Sequence, residues 1–448
     1  MGAANLGRHR RTLTLMLVCG GLATHACASS RDEPSVRHAD LDGDGRTDLF
    51  RVLDGEAFRE IRAPIPESDP PRTVILAIDA IPYDLFAALQ REGRFRAFFP
   101  AARMLAPFPS LTDVGFTTIF RTPSSAAYED RFFDRRTNQM GGGLGERVSG
   151  EYKDLAPFHA VFDWEPPRFW GGFVYLEPER VALAELDRIA EILERSDEPE
   201  LVLYMGATDG LGHEEGWDAL GPHLRRIDAM LERWLAGGGG NRRVVLLSDH
   251  GLSRGATRRF DLDSALASGG FRLSDRLETP RDVVAPAYGL IGSIQLYTAC
   301  GAEAEVARAV ATEEGADFAA WRIPGGFAAV DARGPTDLAD RPDSLYPELE
   351  RRVMQGVRNH TRHPASVLVS LDEGWHYGLS LFEPFVSMEG THGAARYLSS
   401  VGFLASNVDP PPGWVRAEDV WPYLGLGERS VPIDEFVDPC VEAKERGS

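Results

Sequence analysis

An α/β fold on a doubly wound, mostly parallel central sheet flanked by helices is what three features of this sequence predict. Three apolar runs lack alternation, at Thr73-Val74-Ile75-Leu76-Ala77-Ile78, Leu201-Val202-Leu203-Tyr204-Met205 and Val244-Val245-Leu246-Leu247. Strands that read this way are covered on both faces, as parallel strands are. Amphipathic helical stretches at residues 181–195 and 220–235 separate them, so strand and helix alternate. An aspartate follows each run closely: Asp79, Asp209 and Asp249. Ligands of open α/β sheets gather beyond the carboxyl ends of the strands, so these aspartates mark where chemistry belongs.

The chain has 448 residues, enough for one large α/β domain or two ordinary ones. Its formal charge of −20 argues against a nucleic-acid partner, because duplex binding needs a cationic surface. Residues 1–27 read as an export signal. Arg8, Arg10 and Arg11 supply a basic start, residues 13–23 an apolar stretch too short to span a bilayer, and small residues follow. Ala26-Cys27-Ala28 suits a signal peptidase, while Thr24-His25-Ala26-Cys27 resembles a lipobox in which Cys27 would be lipidated. A membrane is expected as a partner only through such an anchor, and the expected location is the periplasm or cell envelope. Beyond the signal, Cys300 and Cys440 remain, either a disulfide or two buried thiols.

Residues 28–71 read as a linker. Within it Asp40, Asp42, Asp44 and Asp48 alternate around Gly43 and Gly45, a spacing that can wrap Ca²⁺. The segment resembles the calcium loops of FG-GAP or dockerin-type repeats, and an acidic, solvated linker is the alternative. Prolines in residues 64–71 close the segment. The main domain is expected over residues 72–440, with a tail at 441–448. After the first strand, residues 84–92 are helical in pattern, and residues 107–113 lead into an apolar helix over 114–120. Thr112 therefore stands at a helix N-terminus, placed either to face an anion or to cap the helix. Residues 120–170 are irregular, and Phe132, Trp164 and Trp170 are expected to line the site. Residues 255–388 form an inserted cap, with strands at 293–297 and 366–371 and a helix at 302–313. Residues 420–426 close the domain.

His213 stands four residues after Asp209, His250 directly after Asp249, and His392 between Thr391 and Gly393. Carboxylates mixed with imidazoles suit Zn²⁺ or a similar ion better than Ca²⁺, and the count fits two metals.

Ile78-Asp79, Pro109-Ser110-Leu111-Thr112, Asp209 with His213, Ser248-Asp249-His250-Gly251 and Thr391-His392-Gly393, in this order, resemble the alkaline phosphatase superfamily, in particular its type I phosphodiesterase and nucleotide pyrophosphatase branch. The resemblance spans residues 72–427. It implies an alkaline-phosphatase-like fold and two zinc ions, one on Asp209, His213 and His392, the other on Asp79, Asp249 and His250 beside Thr112. Thr112 would be the nucleophile toward a small phosphorylated substrate, passing through a threonine phosphoenzyme. Asp113-Val114-Gly115 stands where the branch commonly has Phe-Pro-Asn, so an expected amide donor is missing, and Arg121 is a candidate replacement. The activity implied is hydrolysis of a phosphodiester or pyrophosphate bond. A phosphomonoesterase or phosphonate hydrolase of the same superfamily is the near alternative, and a non-catalytic metal-binding surface lipoprotein the distant one.

Overall fold

The structure, a computed structural model, describes residues 35–39, 48–53, 56–59, 72–143, 155–167, 174–237, 241–287, 289–359, 361–379, 386–426 and 440. The export signal with Cys27, the aspartates Asp40, Asp42 and Asp44, Trp170 and the tail lie outside the described residues. The segment expected as a linker contains three short strands, β1 (Ser35–Ala39), β2 (Asp48–Leu53) and β3 (Glu56–Arg59), paired as an antiparallel sheet. Asp48 opens β2.

The domain proper starts with β4 (Arg72–Ile78), then α1 (Tyr83–Arg91), β5 (Ala102–Leu105) and α2 (Thr112–Ile119). The stretch expected to be irregular holds a small hairpin, β6 (Arg131–Asp134) with β7 (Gln139–Gly142). Its turn uses Asn138 at φ 55°, a conformation that asparagine tolerates better than most residues. Next come α3 (Pro178–Arg195), β8 (Glu200–Met205), α4 (Ala207–Gly237) and β9 (Arg242–Leu247). Gly216, at φ 67°, breaks α4 after its first two turns, so the part carrying Asp209 and His213 is separate from the long amphipathic part.

The inserted region has its own sheet. Its central strands are β10 (Ser293–Thr298), β11 (Ala316–Ile323), β12 (Gly326–Asp331) and β13 (Val367–Leu371), all paired antiparallel, with helices α5 (Glu303–Ala311) and α6 (Leu349–Asn359). The chain then returns to the main sheet through β14 (Val401–Ser406) and β15 (Trp414–Arg416), and α7 (Trp421–Leu424) follows.

The six-stranded main sheet runs β15, β5, β14, β9, β4, β8, and every strand but β14 points the same way. Successive residues of β4 serve opposite faces. Val74, Leu76 and Ile78 pack with α1, α3 and α4, whereas Ile75 and Ala77 pack with Phe116 and Ile119 of α2 and Trp421 and Leu424 of α7. Burial on both faces is why the run shows no alternation. Register fixes the rest: Ile78 pairs with Met205 and Ala77 with Leu247, so β4, β8 and β9 end at one level.

Candidate active site

Asp79 leaves the end of β4, and Asp249 and His250 leave the end of β9 after Ser248. All three are buried. His250 Nε2 lies 3.3 Å from Asp249 Oδ2 and 3.6 Å from Asp79 Oδ1. Thr112 is the first residue of α2. The cap position belongs to Leu111, and no side chain caps the helix, so the threonine hydroxyl is not spent there. Its Oγ1 instead lies 3.4 Å from Asp79 Oδ1 and 3.3 Å from His250 Nε2. Gly115 explains how α2 comes so near: a Cβ there would stand 3.0 Å from the Asp249 Cβ.

The second group is drawn from a helix and a loop. Asp209 and His213 share a face of α4 at the i, i+4 spacing, and His392 comes from the segment after the insert. Both His213 Nε2 and His392 Nε2 lie 3.3 Å from Asp209 Oδ1. The His250 and His392 rings stack with centroids 4.2 Å apart, so the two groups adjoin. Within each group, the atoms that could bind a metal all lie within 4.8 Å of one another.

The strand group repels itself. Burial, then the charges of Asp249 and Asp209, hold Asp79 well above the ordinary carboxyl range, and burial pushes Asp249 up to about 7. Burial and the neighbouring His392 hold His250 well below its ordinary value, so its ring is neutral. Its Nδ1 is 2.9 Å from the Gly251 carbonyl, which can only accept, so the proton sits on Nδ1 and Nε2 presents a lone pair to both carboxylates. Asp249 Oδ2 is buried without a hydrogen-bond partner. Lone pairs converging on one buried point fit a divalent cation. In the other group burial opposes the charge of Asp209, but His213 and His392 outweigh it and hold that carboxyl well below its usual range. Both groups could therefore hold divalent metals.

The architecture has a counterpart among solved structures. The fold is that of human ectonucleotide pyrophosphatase/phosphodiesterase 5. The two match at a TM-score of 0.50 and 13% identity, over 81% of this chain and 97% of that one. Also similar are the murine ectonucleotide pyrophosphatase/phosphodiesterase 5, at 15% identity and a TM-score of 0.48, and its inactive form solved in complex with AMP, at 14% and 0.48; each alignment covers 81% of this chain and 97% of that chain. No family model and no curated protein matches the sequence.

Around the two groups stand residues that motif reading passed over. Tyr204, at the end of β8, donates its hydroxyl to Asp79 Oδ2, and Thr208 donates to the Asp79 carbonyl at 2.7 Å. Glu185 of α3, fully buried, accepts the Ala207 N–H at 2.9 Å and so serves the open N-terminus of α4. The signal for it was present, since a glutamate interrupts the apolar stripe of Ala182, Ile189 and Leu193. One expectation is corrected. Arg121 is exposed beyond the far end of α2 and donates to the Glu418 carbonyl, so it does not replace the missing amide beside Thr112. Trp164 packs against the core on the α1, α3 and α4 side. Phe132 stacks on His363 at 4.4 Å. Cys300 and Cys440 are joined as a disulfide, their Cα atoms 5.4 Å apart.

Proposed function

We propose that this chain is an exported, two-zinc phosphohydrolase that cleaves a phosphodiester or pyrophosphate bond through a phosphothreonine at Thr112. The observation that carries the reading is the Thr112 hydroxyl, free of capping duty at a helix N-terminus and within 3.4 Å of a ligand group whose lone pairs converge without a counter-charge. The donors support zinc. Each group mixes carboxylate with imidazole, a set that suits Zn²⁺ better than Ca²⁺, which takes oxygen ligands. His250 Nε2 stands 3.3 and 3.6 Å from its two carboxylates, and Asp209 Oδ1 3.3 Å from each of its imidazoles, distances that a tetrahedral ion with bonds of about 2.0–2.2 Å accommodates. When bound, two such ions supply charge neutralisation at the phosphoryl oxygens and a lowered pKa for a hydroxyl or water.

The chain's own residues do the rest. Asp79 Oδ1 accepts from the Thr112 hydroxyl and aims Oγ1 into the site, while Tyr204 fixes the other Asp79 oxygen. The N-terminal end of α2 presents its dipole to the phosphoryl group. Attack by Oγ1 forms the Thr112 O–P bond as the bond to the leaving oxygen breaks, and the hydroxyl proton ends on the leaving group. Water then cleaves the Thr112 O–P bond, which returns a proton to Oγ1 and releases the remaining phosphoryl group as a phosphate monoester. The human neighbour is by name a nucleotide pyrophosphatase/phosphodiesterase, which favours the diester over the monoester alternative. Export is supported by the basic, apolar and small-residue sequence of residues 1–27 and by the Cys300–Cys440 disulfide, which suits an oxidising compartment; Cys27 is the proposed anchor site. The candidate Ca²⁺ loop of Asp40, Asp42, Asp44 and Asp48 is proposed as a separate cation site.

Elemental analysis should give about two zinc ions per chain, one for each ligand group. Turnover of a chromogenic phosphodiester should exceed that of the matching monoester, and Thr112→Ala should abolish both while the metal stays. Full activity in Thr112→Ala would remove the covalent step, and less than one tightly held ion per chain would remove the dinuclear site.

A further inference from the structure

Arg352 is among the largest side chains of the protein to be fully buried, and it comes from α6, in the insert. Among the described residues no carboxylate pairs with it; carbonyls and hydroxyls surround it. Nε donates to the Ala106 carbonyl at 2.9 Å. Nη1 donates to the Ala395 carbonyl at 2.9 Å and more weakly to that of Pro347 at 3.5 Å. Nη2 donates to Ser400 Oγ at 2.6 Å, Ser110 Oγ at 3.0 Å and the Pro107 carbonyl at 3.2 Å. Burial brings the guanidinium down to about 9, a cost that its five N–H donors offset by meeting acceptors on both segments.

Apart from the weak Pro347 contact, those acceptors lie on two segments. One, 106–110, runs directly into Thr112; the other, 394–400, follows directly on His392. The segments also hold each other: His392 Nδ1 lies 3.2 Å from the Ser110 carbonyl, and the Ser110 N–H points at the Gly393 carbonyl at 3.4 Å. One turn beyond Arg352, Gly356 presses α6 onto the first segment so closely that a Cβ would stand 2.3 Å from the Phe108 carbonyl. Thus α6 is fitted against the nucleophile segment by backbone contact as well as by the guanidinium.

We propose that Arg352 is a positioning residue, through which the insert sets Thr112 and His392 in register with the two ligand groups. On this inference, which rests on the functional reading above, the insert is part of the frame of the site rather than a cover over it. Loss of the guanidinium lets the two segments shift relative to β4 and β9, and a displacement of about 1 Å at reacting atoms costs on the order of a hundredfold in rate.

The test uses the full chain with Arg352→Met, which keeps much of the apolar stem, and Arg352→Lys, which restores a cation with three donors. Hydrogen exchange in the metal-free protein should speed up by tenfold or more at Ser110 and in 394–400 in Arg352→Met, with β4 unchanged and Arg352→Lys intermediate. In the zinc-loaded protein, well below the melting temperature, kcat should fall about a hundredfold with KM altered less than threefold. Exchange unchanged in both segments would overturn the proposal, as would a folded Arg352→Met with wild-type kcat. Should the wild type hydrolyse no phosphate ester, the functional reading falls and the exchange result alone decides the role of Arg352. Global unfolding of Arg352→Met would shift the decision to Arg352→Lys, where intact exchange in both segments again overturns the proposal.

Discussion

The Asp79, Asp249 and His250 group stands on the ends of two adjacent parallel strands, whereas Asp209, His213 and His392 come from one turn of a helix and a loop that returns from the insert. The first is held by the sheet itself: β4 and β9 pair in register from Arg72 with Arg242 to Ala77 with Leu247. The second is held by residues borrowed from elsewhere, Glu185 beneath α4 and Arg352 behind the His392 segment. Burial differs in the same sense. The side chains of Asp249 and His250 are 0% exposed, and that of Asp209 is 18% exposed. The sheet therefore sets the backbone of its self-repelling group and draws supports such as Tyr204 from its own strands, while the group assembled from distant segments relies on buried polar supports from α3 and the insert.

The largest effect that separates the two groups should come from removing one ligand from each. Asp249→Asn takes a charge from a place where burial already resists it, and His392→Ala takes a partner from an ionised Asp209. Both variants should lose hydrolysis and about one zinc per chain. Their metal-free stabilities should move in opposite directions at pH 8: Asp249→Asn melts higher than wild type and His392→Ala lower. Thermal melts in chelator at that pH measure this, and the same sign for both variants would dissolve the distinction.

The same contrast governs what the sequence discloses. Apolar runs ending near aspartates placed β4, β8 and β9 and their ligands, because the strand that buries a side chain also delivers the residue after it. The order of Asp209, His213 and His392 was legible as a motif, but what holds them was not. Arg352 sits 103 residues after Asp249, and five of its six acceptors become neighbours only when the insert folds back, the sixth being the nearby Pro347 carbonyl. The hairpin at 131–142 was missed because short strands among glycines carry little periodicity. Arg121 misled because proximity in sequence to Thr112 is undone by a helix: α2 carries the arginine to the opposite end.

A smaller effect tests the support beneath α4. Burial raises Glu185 to about 8 against the N–H bonds from Ala207 and Gly206, so it is largely protonated at neutral pH. A carboxyl raised in the folded state contributes stability that is complete below its unfolded value, near 4.5, and is lost as the pH climbs through about 8. Asp249 adds the same trend up to about 7 in the metal-free protein, and bound zinc should cancel that part. Melting temperature measured with zinc from pH 5 to 9 should therefore still decline in the wild type, and decline less steeply in Glu185→Gln, where the raised Glu129 (about 7) and Asp228 (about 6) keep part of the slope. Because Gln keeps the acceptor for Ala207, zinc affinity should fall by about tenfold at most, the low end for an outer partner. An undiminished slope in Glu185→Gln would assign the pH dependence to other groups.

The smallest effect on the site should come from the Cys300–Cys440 disulfide, which closes a loop across 140 residues without touching either ligand group. Chain entropy alone puts its contribution near 5 kcal/mol, an upper figure because unfolded chains keep some structure. The bond ties residue 440 to the end of β10, in the sheet of the insert rather than the sheet that carries β4 and β9. Replacing both cysteines by serine should lower the denaturant midpoint while leaving zinc content and kcat of the folded protein within about twofold. A kcat loss approaching that of Arg352→Met would mean that the insert sheet and the site are coupled as a whole. Unchanged kcat would place the coupling in α6, where one helix face carries the guanidinium and the glycine that meet the nucleophile segment.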